Sequence, residues 1–277
     1  DSAIIQQRDA EWLAKKKRSF VEPLYSEEDA EQVIKQFEVH TYEQAFSVGK
    51  DIQVTFHDAG HVLGSAMVEI EFSESGKNRT FVFSGDIGRQ HIPILRDPWV
   101  PRGADVLLME STYGDRNHAD IDSMENDLAQ TIRTTNARGG KIVIPSFALE
   151  RAQEIIYSLK RLVVKNEIPF LPVFVDSPLT VKITDVFREH TDIMDRELKE
   201  VMEHGGDPFS FDGLKYISDV EDSIALNSIK EPCIIISASG MCEFGRVLHH
   251  LRNNCGDRRN TILLVRIQEK QKIRRQK

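Results

Sequence analysis

The sequence of 277 residues has few cysteines and no long apolar run. Its three cysteines, Cys233, Cys242 and Cys255, are too few for a disulfide framework, and no two of them form a Cys-x-x-Cys pair. No stretch approaches the ~18 consecutive apolar residues that a transmembrane helix needs. These absences predict a protein of the reducing cytoplasm that has no membrane span and no cysteine-based zinc cluster.

Positive charge is scarce over most of the chain. The 36 basic and 44 acidic residues give a net charge of −8. The last twelve positions, 266–277, hold six basic residues and one acid, or +5, so residues 1–265 carry −8 minus +5, which is −13. An acidic body does not favour non-specific nucleic-acid binding through counterion release. We therefore expect a polyanionic substrate to need a local site, assisted by a metal.

The composition is that of a folded chain. Apolar residues make up 40% and charged residues 29% of the sequence, which excludes a disordered polymer and, at this length, predicts one large or two ordinary domains. Residues 3–18 have the pattern of an amphipathic helix with a basic end. Ser26 followed by Asp29 resembles a capping box, which predicts a second helix through Phe37.

A change to a period of two predicts strands from residue 52 onwards. Ile52, Val54 and Phe56 alternate with polar residues, and the same alternation over 68–72 and 80–83 predicts an antiparallel meander with polar turns. Residues 105–109 form a more continuous apolar run, which is typical of a buried strand.

Helix and strand patterns alternate after residue 115. Such alternation predicts a parallel sheet with helices on both faces. We place a domain boundary there, between residues 1–115 and 116–277. The predicted strands span 141–144, 172–175, 233–236 and 261–265, and the predicted helices span 124–138, 148–164, a polar stretch to about 203, and 245–252.

Three predicted strands end in residues that bind metals or protons. His61 lies on a loop with glycines on both sides, Asp86 follows an apolar strand in Ser-Gly-Asp, and Glu110 ends the next apolar run. Imidazole and carboxylate groups are common zinc ligands, and one carboxylate can bridge two cations. Taken alone, His61 and Asp86 are better explained as turn residues, and Glu110 also fits a helix cap or the surface. Three such strand ends in succession favour a shared site.

The order of the motifs resembles the β-CASP branch of the metallo-β-lactamase superfamily, the RNA-processing nucleases related to the endonuclease of mRNA 3′-end cleavage. The resemblance covers the chain to about Val265. Six segments carry it: AGHVLGSA (59–66), FSGDIGR (83–89), ESTYGDRNH (110–118), IPSFALERAQEI (144–155), VDSPLT (175–180) and SGMCEFGRVLHHL (239–251).

The resemblance implies a fold and a chemistry. The fold is α/β: part of a metallo-β-lactamase αββα sandwich with an inserted β-CASP domain whose mainly parallel sheet is covered by helices. His61 matches a zinc ligand, Asp86 the aspartate that bridges two zinc ions, and Glu110 an acid that supports a catalytic histidine. The family's reaction is attack of a zinc-bound hydroxide on an RNA phosphodiester, with Zn²⁺ as cofactor and RNA as partner.

The chain also departs from the family pattern. The main ligand motif, His-x-His-x-Asp-His, is absent from its nine histidines, and the basic residues 266–277 replace a glycine-containing turn. We expect the chain to be a piece that lacks ligands at both ends. Two ligands do not hold a dinuclear zinc site, because each zinc takes about four. We therefore expect the isolated chain to be inactive and to bind zinc weakly or not at all.

Five further residues are candidates for binding substrate. Ser146, Ser177, Ser239 and Gly240 lie at predicted strand ends of the parallel sheet, where ligands of such sheets collect. Backbone N–H groups near Gly240 are suited to a phosphate, and Arg246 to a charge-assisted bond. Turn chemistry explains the serines and the glycine equally well.

The remaining histidines and one basic run have simpler explanations. We expect His57 to make a structural hydrogen bond, and His249 and His250 to pack or face solvent. His118 fits a cleft or a solvated loop. The run Lys15–Arg18 is typical of a solvated helix face.

Two other functions stay open. A non-catalytic β-CASP paralogue would bind RNA or a partner nuclease, and a nuclease of the same class would act on DNA, since nothing in the sequence recognises a 2′-hydroxyl. We expect no membrane partner, and a homodimer stays open.

Overall fold

The computed structural model describes residues 2–15, 22–117 and 121–265. In these ranges the chain is a mixed α/β protein with two five-stranded sheets. The strands are β1 (Phe46–Ser47), β2 (Ile52–Asp58), β3 (Ala66–Glu74), β4 (Lys77–Phe83), β5 (Val106–Leu108), β6 (Ile142–Pro145), β7 (Val173–Asp176), β8 (Leu214–Ile217), β9 (Ile234–Ser237) and β10 (Thr261–Ile262). The α-helices are α1 (Ser2–Lys15), α2 (Glu27–Ile34), α3 (Ile121–Ala137), α4 (Arg151–Val164), α5 (Pro178–Glu189), α6 (Arg196–Glu203), α7 (Val220–Ala225) and α8 (Val247–Asn254).

The first sheet has the order β1-β2-β3-β4-β5. Its first four strands are antiparallel, as the alternating pattern predicted, whereas β5 pairs parallel to β4. The prediction of a buried strand over 105–109 is wrong. Val106, Leu107 and Leu108 stay 49–55% exposed, because none of the core clusters in the described residues covers either face of β5.

The second sheet is parallel throughout, in the order β10-β6-β9-β7-β8, as the alternation of helices and strands predicted. Strands β6, β7 and β9 are buried over their whole length, which is typical of a sheet covered on both faces. One face packs with apolar residues of α3 to α6, and on the other face Phe174 and Ile235 pack with Leu226.

Most predicted elements are confirmed, with shifted ends. The capping box of Ser26 and Asp29 forms, but its helix ends at Ile34 because α2 buries none of its residues and so gains little from packing. The polar stretch before residue 203 is two helices, α5 and α6, joined by a 3₁₀ turn. Strand β8 and helix α7 carry too weak a pattern to be predicted.

A segment of the first half inserts into the core of the second. Ile94 and Leu95 are buried among core residues of the parallel-sheet region, and Leu95 forms a β-bridge with Met194. The backbone N–H of Ile94 donates to Asp195 Oδ2 at 2.7 Å, and the N–H of Asp195 donates to the Ile94 carbonyl at 2.9 Å. The contacts of Ile94 and Leu95 therefore join the regions of the two sheets, and they come from a segment that precedes the predicted domain boundary at residue 115. None of the described helices is both long enough and apolar enough to cross a bilayer.

Candidate active site

The loops that carry His61, Asp86 and Glu110 meet at one edge of the first sheet. Strands β2 and β4 are each antiparallel to β3, and β5 is parallel to β4, so all three point the same way. The carboxyl ends of these three strands therefore lie on the same side of the sheet, at the ends of its strands. There, His61 Nε2 lies 3.7 Å from Asp86 Oδ2, and Glu110 Oε1 accepts the N–H of Ile87 at 2.8 Å.

The loop 59–65 is shaped by hydrogen bonds around Ser65. The Ser65 hydroxyl accepts the N–H groups of His61 and Val62 at 3.1 and 3.2 Å. Tyr42, from the segment before β1, donates its hydroxyl to the Ser65 carbonyl at 2.7 Å. The Asp58 carboxylate accepts the N–H of Gly60 at 2.8 Å. These bonds fix the backbone that carries the His61 imidazole.

Gly88 allows the His61 loop and the Asp86 loop to touch. Its N–H donates to the Ala59 carbonyl at 2.8 Å. A Cβ atom at this position would lie 1.6 Å from the Gly60 carbonyl oxygen, so no other residue fits without moving one of the loops. The final glycine of the Gly-Asp-Ile-Gly motif thus allows the two loops to come into contact.

Glu110 is held as a carboxylate. Partial burial acts to raise its pKa, but hydrogen bonds from Thr112 and from the N–H of Ile87, together with nearby His61, outweigh burial and lower the pKa. The N–H of Glu110 donates to the Ser84 hydroxyl at 3.2 Å. Glu110 therefore links the end of β5 to the loop that carries Asp86.

His57 lies apart from this site and has the structural role expected of it. Its ring is buried, with Nδ1 2.9 Å from Glu43 and Nε2 2.9 Å from Glu69. The ring also stacks on Trp99, with centroids 3.7 Å apart. Both nitrogens face carboxylates, so neither is available as a ligand.

His61 and Asp86 have the right chemistry for zinc, but they are too few to hold it. Their side chains are 29% and 78% exposed, so both are accessible to an ion. The described ranges contain no group of three or more histidines, cysteines or acids arranged to bind a metal. Since zinc takes about four ligands, this pair alone does not fit a zinc ion.

Two of the predicted substrate-binding serines serve turns and caps. Ser146 is buried at the end of β6 and donates its hydroxyl to the Phe147 carbonyl at 3.0 Å. Ser177 caps α5, where its hydroxyl accepts the N–H of Thr180 at 3.2 Å. Their binding of substrate stays a prediction.

Gly240 lines a small cavity near the end of β6, and Ser239 directly precedes it in the chain. The cavity is lined by Ser146, Phe147, Gly240 and Arg151, among others. Gly240 packs so close to Phe147 that a Cβ there would lie 2.7 Å from the ring. The Ser239 hydroxyl is buried and has no hydrogen-bond partner in the described residues.

Arg246 pairs with a buried carboxylate that sequence reasoning missed. Its Nη1 donates to Asp176 Oδ1 at 2.7 Å, and its Nη2 donates to the Ser218 carbonyl at 2.7 Å. The other oxygen of Asp176 accepts the Ser223 hydroxyl at 2.6 Å and lies 2.5 Å from His250 Nε2. The guanidinium predicted to meet phosphate is thus already paired.

The surroundings of Asp176 keep it ionised. Burial acts to raise its pKa, but hydrogen bonds from His250, Ser223 and Arg246 outweigh burial and lower the pKa. His250 is buried in this network and His249 is exposed, as expected for packing and surface roles. The only sequence signal was that Asp176 ends a buried strand.

Three features named from the sequence lie outside the described residues: His118, most of the basic run Lys15–Arg18, and the basic end 266–277.

Comparisons with known proteins agree with the motif order. A model of the Beta-Casp domain matches residues 152–276. The chain is 34% identical to Ribonuclease TTHA0252 of Thermus thermophilus, over 88% of the chain and 55% of that protein. It is 31% identical to transcription termination factor FttA of a Lokiarchaeum species, over 88% of the chain and 38% of the factor. It is 30% identical to Endoribonuclease YSH1 of Eremothecium gossypii, over 88% of the chain and 31% of that protein. The chain thus spans about half or less of these relatives.

Proposed function

Since the chain belongs to the β-CASP branch of the metallo-β-lactamase superfamily, we propose that the whole protein hydrolyses RNA phosphodiester bonds. The observation that carries this proposal is the convergence of His61, Asp86 and Glu110 at one sheet edge. Relatives with the names ribonuclease and endoribonuclease support RNA as the substrate.

The geometry supports a role for each of the three residues. Asp86 is exposed and free to approach a bound group, and His61 lies beside it. Glu110 accepts the N–H of Ile87, the residue after Asp86, so it orients the Asp86 loop. The acidic character of residues 1–265 does not attract RNA over long distances, so binding depends on short-range contacts.

We propose in addition that His61 and Asp86 contribute to a zinc centre completed by residues beyond those described. Imidazole and carboxylate are ligands that zinc accepts. The described residues alone do not supply such a centre.

The test is a cleavage assay on the whole protein. Single-stranded RNA labelled at either end, and DNA of the same sequence, are incubated with the purified protein and zinc. We expect the RNA to be cut and the DNA to be spared. If RNA is bound but remains uncut, the protein is a non-catalytic binding module; if DNA is cut equally well, the proposed substrate class is wrong.

A further inference from the structure

The loop that carries His61 is fastened to the parallel-sheet region by one buried side chain. The N–H of Leu63 donates to Glu150 Oε2 at 3.0 Å, although the two residues are 87 positions apart. Glu150 directly precedes α4, and the Leu63 side chain packs against the core of the parallel-sheet region. This contact joins the two halves two residues from His61.

Glu150 is an unusual residue for a structural hydrogen bond. It is 5% exposed, its φ of 65° lies in the left-handed region, and its Oε1 is buried without a hydrogen-bond partner. The charged groups near it are Glu154 and Arg151 on α4 and Asp58 at the end of β2. An ionised carboxylate with an unpaired buried oxygen is costly, whereas the neutral acid is much less so.

The electrostatic surroundings agree with a neutral side chain. Burial, and then repulsion from Glu154, raise the pKa of Glu150 to about 8, against the opposing effects of the Leu63 N–H and Arg151. The raised pKa thus favours the neutral acid at neutral pH. Its carbonyl oxygen still accepts the N–H of Leu63.

We propose that Glu150 is a positioning residue that holds the His61 loop against the N-terminus of α4. The inference rests on the proposed function only in that His61 is assigned to the site. Other bonds, from Tyr42 to Ser65 and from Gly88 to Ala59, hold the two ends of the loop. Within the described ranges, Glu150 is the residue bonded to the backbone at Leu63, next to the middle of the loop.

The role requires an acceptor oxygen rather than a charge. Glu150→Gln keeps a neutral acceptor at the same distance. Glu150→Leu has a similar size and is also neutral, but accepts no hydrogen bond. Comparison of the two variants therefore separates loss of the Leu63 hydrogen bond from loss of packing. The leucine side chain is apolar, which suits the buried position. Glu167→Gln, at an exposed position in the loop after α4, is the matched control.

The experiment is amide hydrogen exchange of the 277-residue chain, followed at Leu63 by NMR. We expect Glu150→Leu to speed exchange at Leu63 by about tenfold, the loss expected for one hydrogen bond. Glu150→Gln and the Glu167→Gln control should stay within about twofold of the unmodified chain. Unchanged exchange in Glu150→Leu, or equally fast exchange in Glu150→Gln, would overturn the proposal.

A cleavage assay on the whole protein separates this inference from the proposed function. If the unmodified protein cuts RNA, Glu150→Leu should lower the rate while Glu150→Gln restores it. If the unmodified protein does not cut RNA, the proposed function fails, and the exchange result at Leu63 still decides the role of Glu150.

Discussion

Arg246 Nη1 lies 2.7 Å from Oδ1 of Asp176, whose side chain is fully buried. The pair links the start of α8 to the end of β7, and His250 and Ser223 complete the hydrogen bonds of the carboxylate. Arg246 therefore has a structural role, in addition to the phosphate contact predicted from the sequence.

Replacing Arg246 should destabilise the fold. Arg246→Ala leaves the buried Asp176 without its guanidinium partner, and breaking a buried ion pair costs about 3–5 kcal/mol. Urea unfolding followed by circular dichroism measures the loss. Arg252→Ala, exposed on the same helix, is the control and should change stability by less than about 0.5 kcal/mol. Equal stability of the two variants would show that the ion pair does not support the fold.

Stability should depend on the protonation of Glu150. Its pKa is about 8 in the folded chain, above the value of about 4.3 for an unfolded chain. The folded state therefore holds a proton that the unfolded state loses between these values, so this contribution to stability is complete at low pH and declines as the pH rises to about 8.

Glu150→Gln removes that dependence. The melting temperature of the variant minus that of the unmodified chain should increase from pH 5 to pH 8 and then level off. Glu110 gives the opposite sign, since its pKa is lowered in the folded chain and its contribution is lost as the pH falls. A difference for Glu150→Gln that is flat with pH would mean that Glu150 is ionised throughout.

Zinc should bind the 277-residue chain weakly or not at all. His61 and Asp86 are the two candidate ligands that meet, and a zinc ion takes about four. Isothermal titration calorimetry with zinc measures this directly. Two sites of sub-micromolar affinity would contradict the expectation and would require ligands outside the described residues.

The sequence predicts the parts of the site that depend on strand order, but not those that depend on contact between distant residues. Three strand ends in succession were expected to share a site, and the loops after β2, β4 and β5 do meet, because these three strands point the same way. The bond from Leu63 to Glu150 and the network around Asp176 join residues far apart in the chain. Periodic patterns in a sequence do not predict which distant residues pair in this way.

Exposure was also hard to predict for one strand. Apolar composition favoured burial of β5, yet burial depends on what covers the two faces of a strand, and in the described residues no core cluster covers β5. The glycines were easier to recognise than to interpret. Gly88 was visible in the motif, but only coordinates show that it lies against the Gly60 carbonyl.

The central claim is that His61, Asp86 and Glu110 form one RNA-cleaving site, and cleavage of single-stranded RNA by the Asp86→Ala variant of the whole protein tests it most directly. Asp86 is 78% exposed, so its loss should leave the melting temperature unchanged while cleavage is abolished. Asp115→Ala, which removes another exposed acid, is the control and should cut normally. Cleavage by a folded Asp86→Ala variant at the unmodified rate would contradict the claim.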